Sequence, residues 1–357
     1  MTGTVDVAIV GAGVTGCACA LALAEAGKRV RVFEAREIAG GASGRNGGFA
    51  LRGGAPAYDV SRRELGAASA EALWRLTERY LGRLAELAGD AFRHTGSLRL
   101  AADRSERQEL EAEYEALRED GFEVEWREEL PEPLARRFEG AIFHPPDGSL
   151  QPARWVRRLA ARAAEAGAEL REHERVESLE GLEAEQIVIA TDGYTSGLLA
   201  GLDGAIRPTR GQVLVTEPLE RRLFPCPHYA RHGYDYWQQT ADGRLVAGGF
   251  RDKAVDHEHT SEEILTPLIQ GYLERFVTEL LGTEPRITHR WAGIFGTTDD
   301  RLPLAGRVRG HDGVWVCAGY SGHGNVMGLA CGDLVARAIL GEEPVELELF
   351  DPARALG

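Results

Sequence analysis

Residues Val5–Glu34 constrain the fold more than any other stretch of this chain. Val5–Val10 is a short β-branched apolar run, and Gly11-Ala12-Gly13-Val14-Thr15-Gly16 is a GxGxxG turn. Cys17–Ala26 is an alanine-rich helical stretch, and Arg29–Phe33 alternates before Glu34. Strand, glycine turn, helix and a second strand ending in an acid is the order that a dinucleotide-binding βαβ unit needs. Gly11 allows the tight turn, Gly13 lets backbone approach a pyrophosphate, and Gly16 lets the helix pack close to the strand. Backbone N–H groups at the helix start, with the positive end of the helix dipole, then meet the phosphates. Glu34 lies 23 positions after Gly11, near the spacing of about 20 at which an acid reaches a ribose hydroxyl. An unphosphorylated adenosine ribose, as in FAD or NAD, is favoured over NADP.

The same region carries no charge from Val7 to Ala24 and would pass a crude hydropathy filter for a membrane span. Gly11, Gly13, Thr15 and Gly16 interrupt it and no basic segment precedes it, so neither an anchor nor a signal peptide is expected. At 357 residues one or two domains are expected. The net charge of −15 argues against nucleic acid and anionic membrane surfaces as partners. Cys17, Cys19, Cys226, Cys317 and Cys331 form no cluster with metal-ligand spacing, so no metal site is expected. Buried free thiols in a reducing cytoplasm are the expected state.

Further along, Gly40–Gly48 is too glycine-rich to read as a regular element, and Ser43 and Arg45 within it can serve phosphate oxygens. Helices are expected at Glu64–Ala88, Ser105–Asp120 and Pro152–Ala166, with a strand at Ser97–Leu100 and a turn at Pro145–Leu150. The charged stretch Glu106–Glu129 reads as a solvated helix face. Glu169–Val176 and Gln186–Ala190 read as strands, the latter entering Thr191-Asp192-Gly193, where a further backbone contact to the cofactor is expected. Gly211–Glu217, Tyr234–Gln239 and Arg244–Phe250 read as an antiparallel sheet with a turn at Asp242-Gly243. Gly313–Ala318 is a buried strand before Gly319–Asn325 and a helix from about Met327 to Leu340. The only two asparagines, Asn46 and Asn325, both fall in glycine loops, which points to amide hydrogen bonding or left-handed geometry there.

Together these residues resemble the FAD-dependent glycine oxidase/D-amino-acid oxidase superfamily over essentially the whole chain. The most specific segments are Val5–Glu34, Gly41–Gly48, Val188–Tyr194, Arg290–Gly306 and Gly319–Asn325. The run from Gly41 to Gly48 and Trp291-Ala292-Gly293 are most similar to the γ-glutamylputrescine oxidoreductase branch. The resemblance implies an α/β fold: a Rossmann-like FAD-binding domain (1–80, 145–210 and 290–357) with an inserted antiparallel-sheet substrate domain (81–144 and 211–289). It implies oxidation of a carbon–nitrogen bond, with hydride passing to flavin N5 and the imine hydrolysing. Flavin contacts are implied at Gly11, Gly13, Gly16, Glu34, Ala35, Gly41, Ser43, Arg45, Asn46, Gly47 and Gly48. Val176, Thr191, Gly193, Gly293, Gly319, Gly322, His323, Gly324 and Asn325 complete that set.

Departures from the family pattern bear on the substrate. Gly293 stands where sarcosine-oxidase-like members attach flavin to a cysteine, so FAD is expected to be non-covalent. Arg52 matches an arginine that binds the substrate carboxylate in those members, and its other reading is an ion pair between domains. Val326 stands where they have a second, lysine, anchor. Phe295 occupies the position of a carboxylate-binding arginine in glycine-oxidase-like members, and Leu245 that of a lysine linked to oxygen activation. The acceptor, dioxygen or another oxidant, therefore stays open. The expected catalytic set is Arg52, Tyr236, Phe295 and His323, with His323 read as a flavin contact or proton relay titrating near neutrality. Arg251 and His257 read as loop residues outside the site. A small-molecule amine or amino acid is the expected substrate. The alternatives are a 2-hydroxy-acid or glycerol-phosphate-type dehydrogenase and a non-catalytic flavin-binding accessory protein.

Overall fold

After Asp6, the strand Val5–Val10 is apolar on both faces, which suits a strand buried in the middle of a parallel sheet. In the computed structural model, which describes residues 4–356, it pairs in parallel with Val30–Phe33 on one side and Ala184–Ile189 on the other. The sheet runs in the spatial order Leu304–Arg307, Val314–Ala318, Ala184–Ile189, Val5–Val10, Val30–Phe33, Glu169–Arg171. Only Leu304–Arg307 is antiparallel to its neighbour. Helix Val14–Glu25 packs between helices Pro152–Glu165 and Gly324–Ile339. Small residues let these helices approach: a Cβ on Gly332 would lie 2.4 Å from the Thr15 carbonyl oxygen.

A second sheet of eight strands has the order Ile287–Thr297, Arg207–Pro218, Arg244–Gly249, Asp235–Gln239, His228–Ala230, Ser97–Leu100, Ala141–His144, Glu125–Arg127. It is antiparallel except between His228–Ala230 and Ser97–Leu100. Those two strands come from separate stretches of chain, so no hairpin forces them to run oppositely. Helix Pro267–Leu281 covers one face, closing a core around Trp237, Leu245, Leu273 and Phe276. The molecule is thus a Rossmann-like α/β unit carrying an inserted, largely antiparallel sheet. Residues 210 and 289, expected domain borders, fall inside strands Arg207–Pro218 and Ile287–Thr297 of this second sheet.

Three local expectations are corrected. Ala42–Arg45 makes one helical turn inside the glycine-rich loop. Gly148–Leu150 is a strand rather than part of a turn; it pairs with both Phe49–Ala50 and Phe92–His94 in a small third sheet. The charged helix Arg104–Glu119 is not wholly solvated, because Glu106 and Glu113 are buried. Glu106 accepts from the backbone N–H groups of Ala102 and His232, and Glu113 from that of Tyr58 and from the Arg99 guanidinium. Charge alone does not reveal burial when the partner is a distant backbone amide. All five cysteines are free and buried. Among the described residues no helix is long and apolar enough to cross a membrane.

Candidate functional site

The strand Val5–Val10 delivers the chain to Gly11, whose φ of +104° only glycine adopts cheaply; a Cβ there would also sit 2.6 Å from the Ala190 carbonyl oxygen. Gly16 is docked so tightly that a Cβ would lie 1.9 Å from the Gly11 carbonyl oxygen. Helix Val14–Glu25 has no side-chain cap at Gly13. Instead, the Val14 N–H donates to Ser43 Oγ at 3.1 Å, tying the second glycine loop to the first. Glu34 accepts from the Ala12 N–H and the Arg36 N–H, each at 2.9 Å, which fixes its carboxylate beside the turn.

The second loop is held from across the molecule. Asn46 and Asn325 exchange side-chain hydrogen bonds, the shorter at 3.2 Å, and Asn325 Nδ2 also donates to the Phe49 carbonyl at 2.8 Å. Both asparagines therefore act through amide bonding; neither has positive φ. Trp291 Nε1 donates to the Arg45 carbonyl at 2.7 Å, and Arg45 Nη1 to the Ala292 carbonyl at 3.2 Å. Glu263 accepts from Arg36, Arg45 and Tyr194.

Asp192, in sequence only one residue of a turn, joins three segments. Its two oxygens accept from the N–H groups of Gly296 and Gly319, each at 2.8 Å. Burial raises its carboxyl above the usual range against the pull of these amides. Thr15 Oγ1 donates to the Tyr320 hydroxyl at 2.8 Å, linking the first and last glycine turns. Helix Gly324–Ile339 starts at His323 without a side-chain cap, so its positive end is free to face an electron-rich group. Burial pushes the His323 imidazole down to about 4, opposed slightly by the Ser321 backbone. The expectation of a relay titrating near neutrality is thus corrected: His323 is neutral at pH 7. Its buried Nδ1 has no hydrogen-bond partner among the described residues.

These loops bound one cavity of about 1110 Å³, above the ~300–1,000 Å³ usual for a small-ligand site. The first turn and its neighbours contribute Gly11, Gly13, Glu34, Ala35, Val176 and Thr191. The second loop adds Gly41, Ser43, Arg45, Asn46 and Gly47, with Gly293 opposite, and the third adds Gly322, His323, Gly324 and Asn325. Gly16, Gly48, Gly193 and Gly319 do not line it; they allow close packing behind the wall, as where a Gly193 Cβ would meet the Phe295 backbone at 2.8 Å. The glycine cradle, the uncapped start of helix Gly324–Ile339, the orphaned His323 nitrogen and the volume fit FAD. No cysteine lines the cavity, and a Cβ at Gly293 would already press on Arg45 at 3.3 Å.

The remaining wall is aromatic. Tyr236 meets Phe49 edge-on at 5.8 Å and lies over two glycines, where a Cβ on Gly47 or Gly248 would reach within 2.9 and 2.4 Å of its ring. Phe295 and Val326 line the cavity as expected from their motifs, whereas Leu245 lies in the core beneath helix Pro267–Leu281 and does not reach it. Arg52 reaches the cavity wall, but its guanidinium donates to Glu78 at 2.9 Å and to the Glu123 carbonyl at 2.7 Å, with Asp147 3.6 Å away. Glu78 and Asp147 both lie in the segments expected to form the FAD-binding domain, so this ion pair does not join the two domains as expected. Burial pushes Asp147 up to about 6 even beside this arginine. Arg251, placed outside the site from sequence, lines the cavity with its guanidinium over the rings of Tyr234 and Phe295. The only sequence signal for it was its position directly after a Gly-Gly-Phe strand end.

The family of FAD-dependent oxidoreductases designated DAO matches residues 6–338. A probable oxidoreductase OrdL of Rhizobium meliloti is 30% identical, over 97% of this chain and 85% of the relative. The γ-glutamylputrescine oxidoreductase of Escherichia coli is 29% identical, over 95% and 84% respectively. The crystal structure of glycine oxidase from Geobacillus kaustophilus superposes with a TM-score of 0.82 at 25% identity, covering 99% of this chain and 98% of that one. The family match over nearly the whole chain shows that it belongs to the DAO family of FAD-dependent oxidoreductases.

Proposed function

We propose that this enzyme oxidises the carbon–nitrogen bond of an amine or amino acid, giving an imine that water splits into a carbonyl compound and an amine or ammonia. When bound, FAD supplies the acceptor, at N5, for the hydride leaving the carbon next to nitrogen. The observation that carries the reading is a cavity that fits FAD and whose remaining wall is lined by Tyr236, Tyr320 and Phe295, with His323 at the uncapped start of helix Gly324–Ile339. A neutral amine needs no base to lose hydride, only a fixed orientation and exclusion of water. A hydroxyl group needs a base within reach. With an imidazole pushed to about 4, His323 is a weak base, which supports amine over alcohol oxidation. Tyr236 and Phe295 orient the substrate, and the positive helix start favours negative charge on the opposite edge of the cavity. The names of the E. coli and G. kaustophilus relatives, an amine and an amino-acid oxidoreductase, support the same class.

The test is anaerobic bleaching of the visible flavin absorbance in the FAD-loaded protein by panels of amines, amino acids and 2-hydroxy acids, followed by air. Bleaching by an amine or amino acid is expected, and the rate of recovery in air reports whether dioxygen is the acceptor. Bleaching by hydroxy acids alone would overturn the proposal.

A further inference from the structure

Eight arginines line the cavity, and six have carboxylate partners: Arg36 and Arg45 share Glu263, and Arg52, Arg63, Arg99 and Arg301 pair with Glu78, Asp59, Glu113 and Glu64. Among the described residues, Arg175 and Arg251 have none. Arg175 follows Glu174, whose N–H donates to the Glu34 carbonyl, so it belongs to the adenosine side. Arg251 belongs to the ring-walled side. Its guanidinium carbon sits 4.5 Å from the Tyr234 centroid and 5.5 Å from that of Phe295.

The backbone holds Arg251 in place. Gly249 has φ +130°, and a Cβ there would collide with the Tyr234 carbonyl oxygen at 1.8 Å. Phe250 follows with φ +61° while buried, stacked on Tyr272 at 5.7 Å, and its N–H donates to the Tyr234 carbonyl at 2.7 Å. A left-handed phenylalanine persists only where its surroundings over-determine it. Core packing of Phe250 thus turns residue 251 into the cavity. Two aromatic faces steady the cation without neutralising it, which leaves guanidinium N–H groups available for a planar, bidentate anion.

We infer that Arg251 is the carboxylate anchor of this enzyme, and that the substrate is an amino acid or another amine bearing a carboxylate. This rests on the amine reading above and assigns to the inserted sheet the work that Arg52 does not do.

Two measurements on the FAD-loaded protein test it separately. In the first, benzoate and its neutral match benzamide are titrated against the flavin visible spectrum, which needs no turnover. Wild type is expected to bind benzoate at least tenfold more tightly. Arg251→Met should abolish that preference while keeping the FAD content, and Arg251→Lys should restore part of it. Equal binding of the two ligands by wild type, or an unchanged preference in Arg251→Met, would overturn the anchor. If Arg251→Met fails to hold FAD, the wild-type preference and the lysine variant decide. In the second, glycine is compared with methylamine and proline with pyrrolidine in anaerobic bleaching. Arg251→Met should raise the concentration needed at least tenfold for the amino acids and leave the amines unchanged. Benzoate held through Arg251 with no bleaching by any amine or amino acid would sink the amine reading and leave the anchor standing. Bleaching indifferent to the carboxylate would do the reverse.

Discussion

The dinucleotide turn and the ring-walled end of the same cavity are built on opposite principles. At the turn, Gly11, Gly13 and Gly16 act by having no side chain, and Glu34 is fixed by two backbone amides. Every participant lies within one βαβ unit. At the other end the residues come from scattered elements: Phe49 after the second loop, Tyr236 from strand Asp235–Gln239, Arg251 from the turn that follows the neighbouring strand Arg244–Gly249, Phe295 from strand Ile287–Thr297, and His323 from a helix start. Arg52 and Arg251 sharpen the contrast. The arginine that matched a family motif is occupied by protein acids, while the arginine that matched none faces the cavity without a counter-ion. Backbone chemistry follows local sequence; side-chain chemistry depends on which partners the fold supplies.

The strongest way to break the backbone half is Gly16→Val. With a Cβ only 1.9 Å from the Gly11 carbonyl oxygen, the variant should purify without flavin absorbance; normal FAD content would remove the cradle from the argument. Arg52→Ala comes next. Removing one partner of a buried ion pair costs about 3–5 kcal/mol, and here the buried Asp147 loses its arginine while Glu78 keeps only Arg75. Chemical denaturation should show that loss, while the substrate concentration dependence should shift alike for amines with and without a carboxylate. A selective effect on carboxylates would return Arg52 to the anchor role.

Acid sensitivity probes the inserted sheet. His228 is stacked on Trp237 at 5.3 Å, and burial lowers it from the usual 6.5 to about 3, slightly opposed by the Cys226 backbone. Between these values the unfolded chain binds a proton that the folded one does not. The stability is therefore complete above pH 6.5 and lost as pH falls toward 3. At about 1.4 kcal/mol per unit, His228→Phe should recover about 2 kcal/mol near pH 5 relative to wild type. An unchanged pH profile would show that His228 is not the sensor. The Arg251 substitutions fall below this in energy, since a tenfold change is about 1.4 kcal/mol. Smallest is Ser43→Ala, which removes one hydrogen bond to the Val14 N–H; FAD affinity measured by fluorescence titration should weaken by no more than about tenfold.

Much of the fold is legible in the sequence alone. The strand Ser97–Leu100 and helix Pro152–Glu165 were readable from periodicity and breakers, within a residue or so of their ends. The buried Glu113, the strand Gly148–Leu150 and the single parallel joint in the second sheet were not, because each depends on a partner distant in sequence. Asp192 shows the boundary within one motif. Its presence in a strand-to-turn segment was visible, but its bonds to Gly296 and Gly319 span about a hundred residues and more.

The amino-acid order alone settled the glycine cradle, the acid that ends the second strand and the flavoprotein family, because a phosphate is met by backbone amides whose geometry is set within a few residues. The tertiary structure decided that His323 is neutral, that Arg52 is engaged and that Arg251 lies open to the cavity. Burial and ion pairing are properties of what surrounds a side chain, and neighbours brought together across two sheets leave no trace in the residues that flank it.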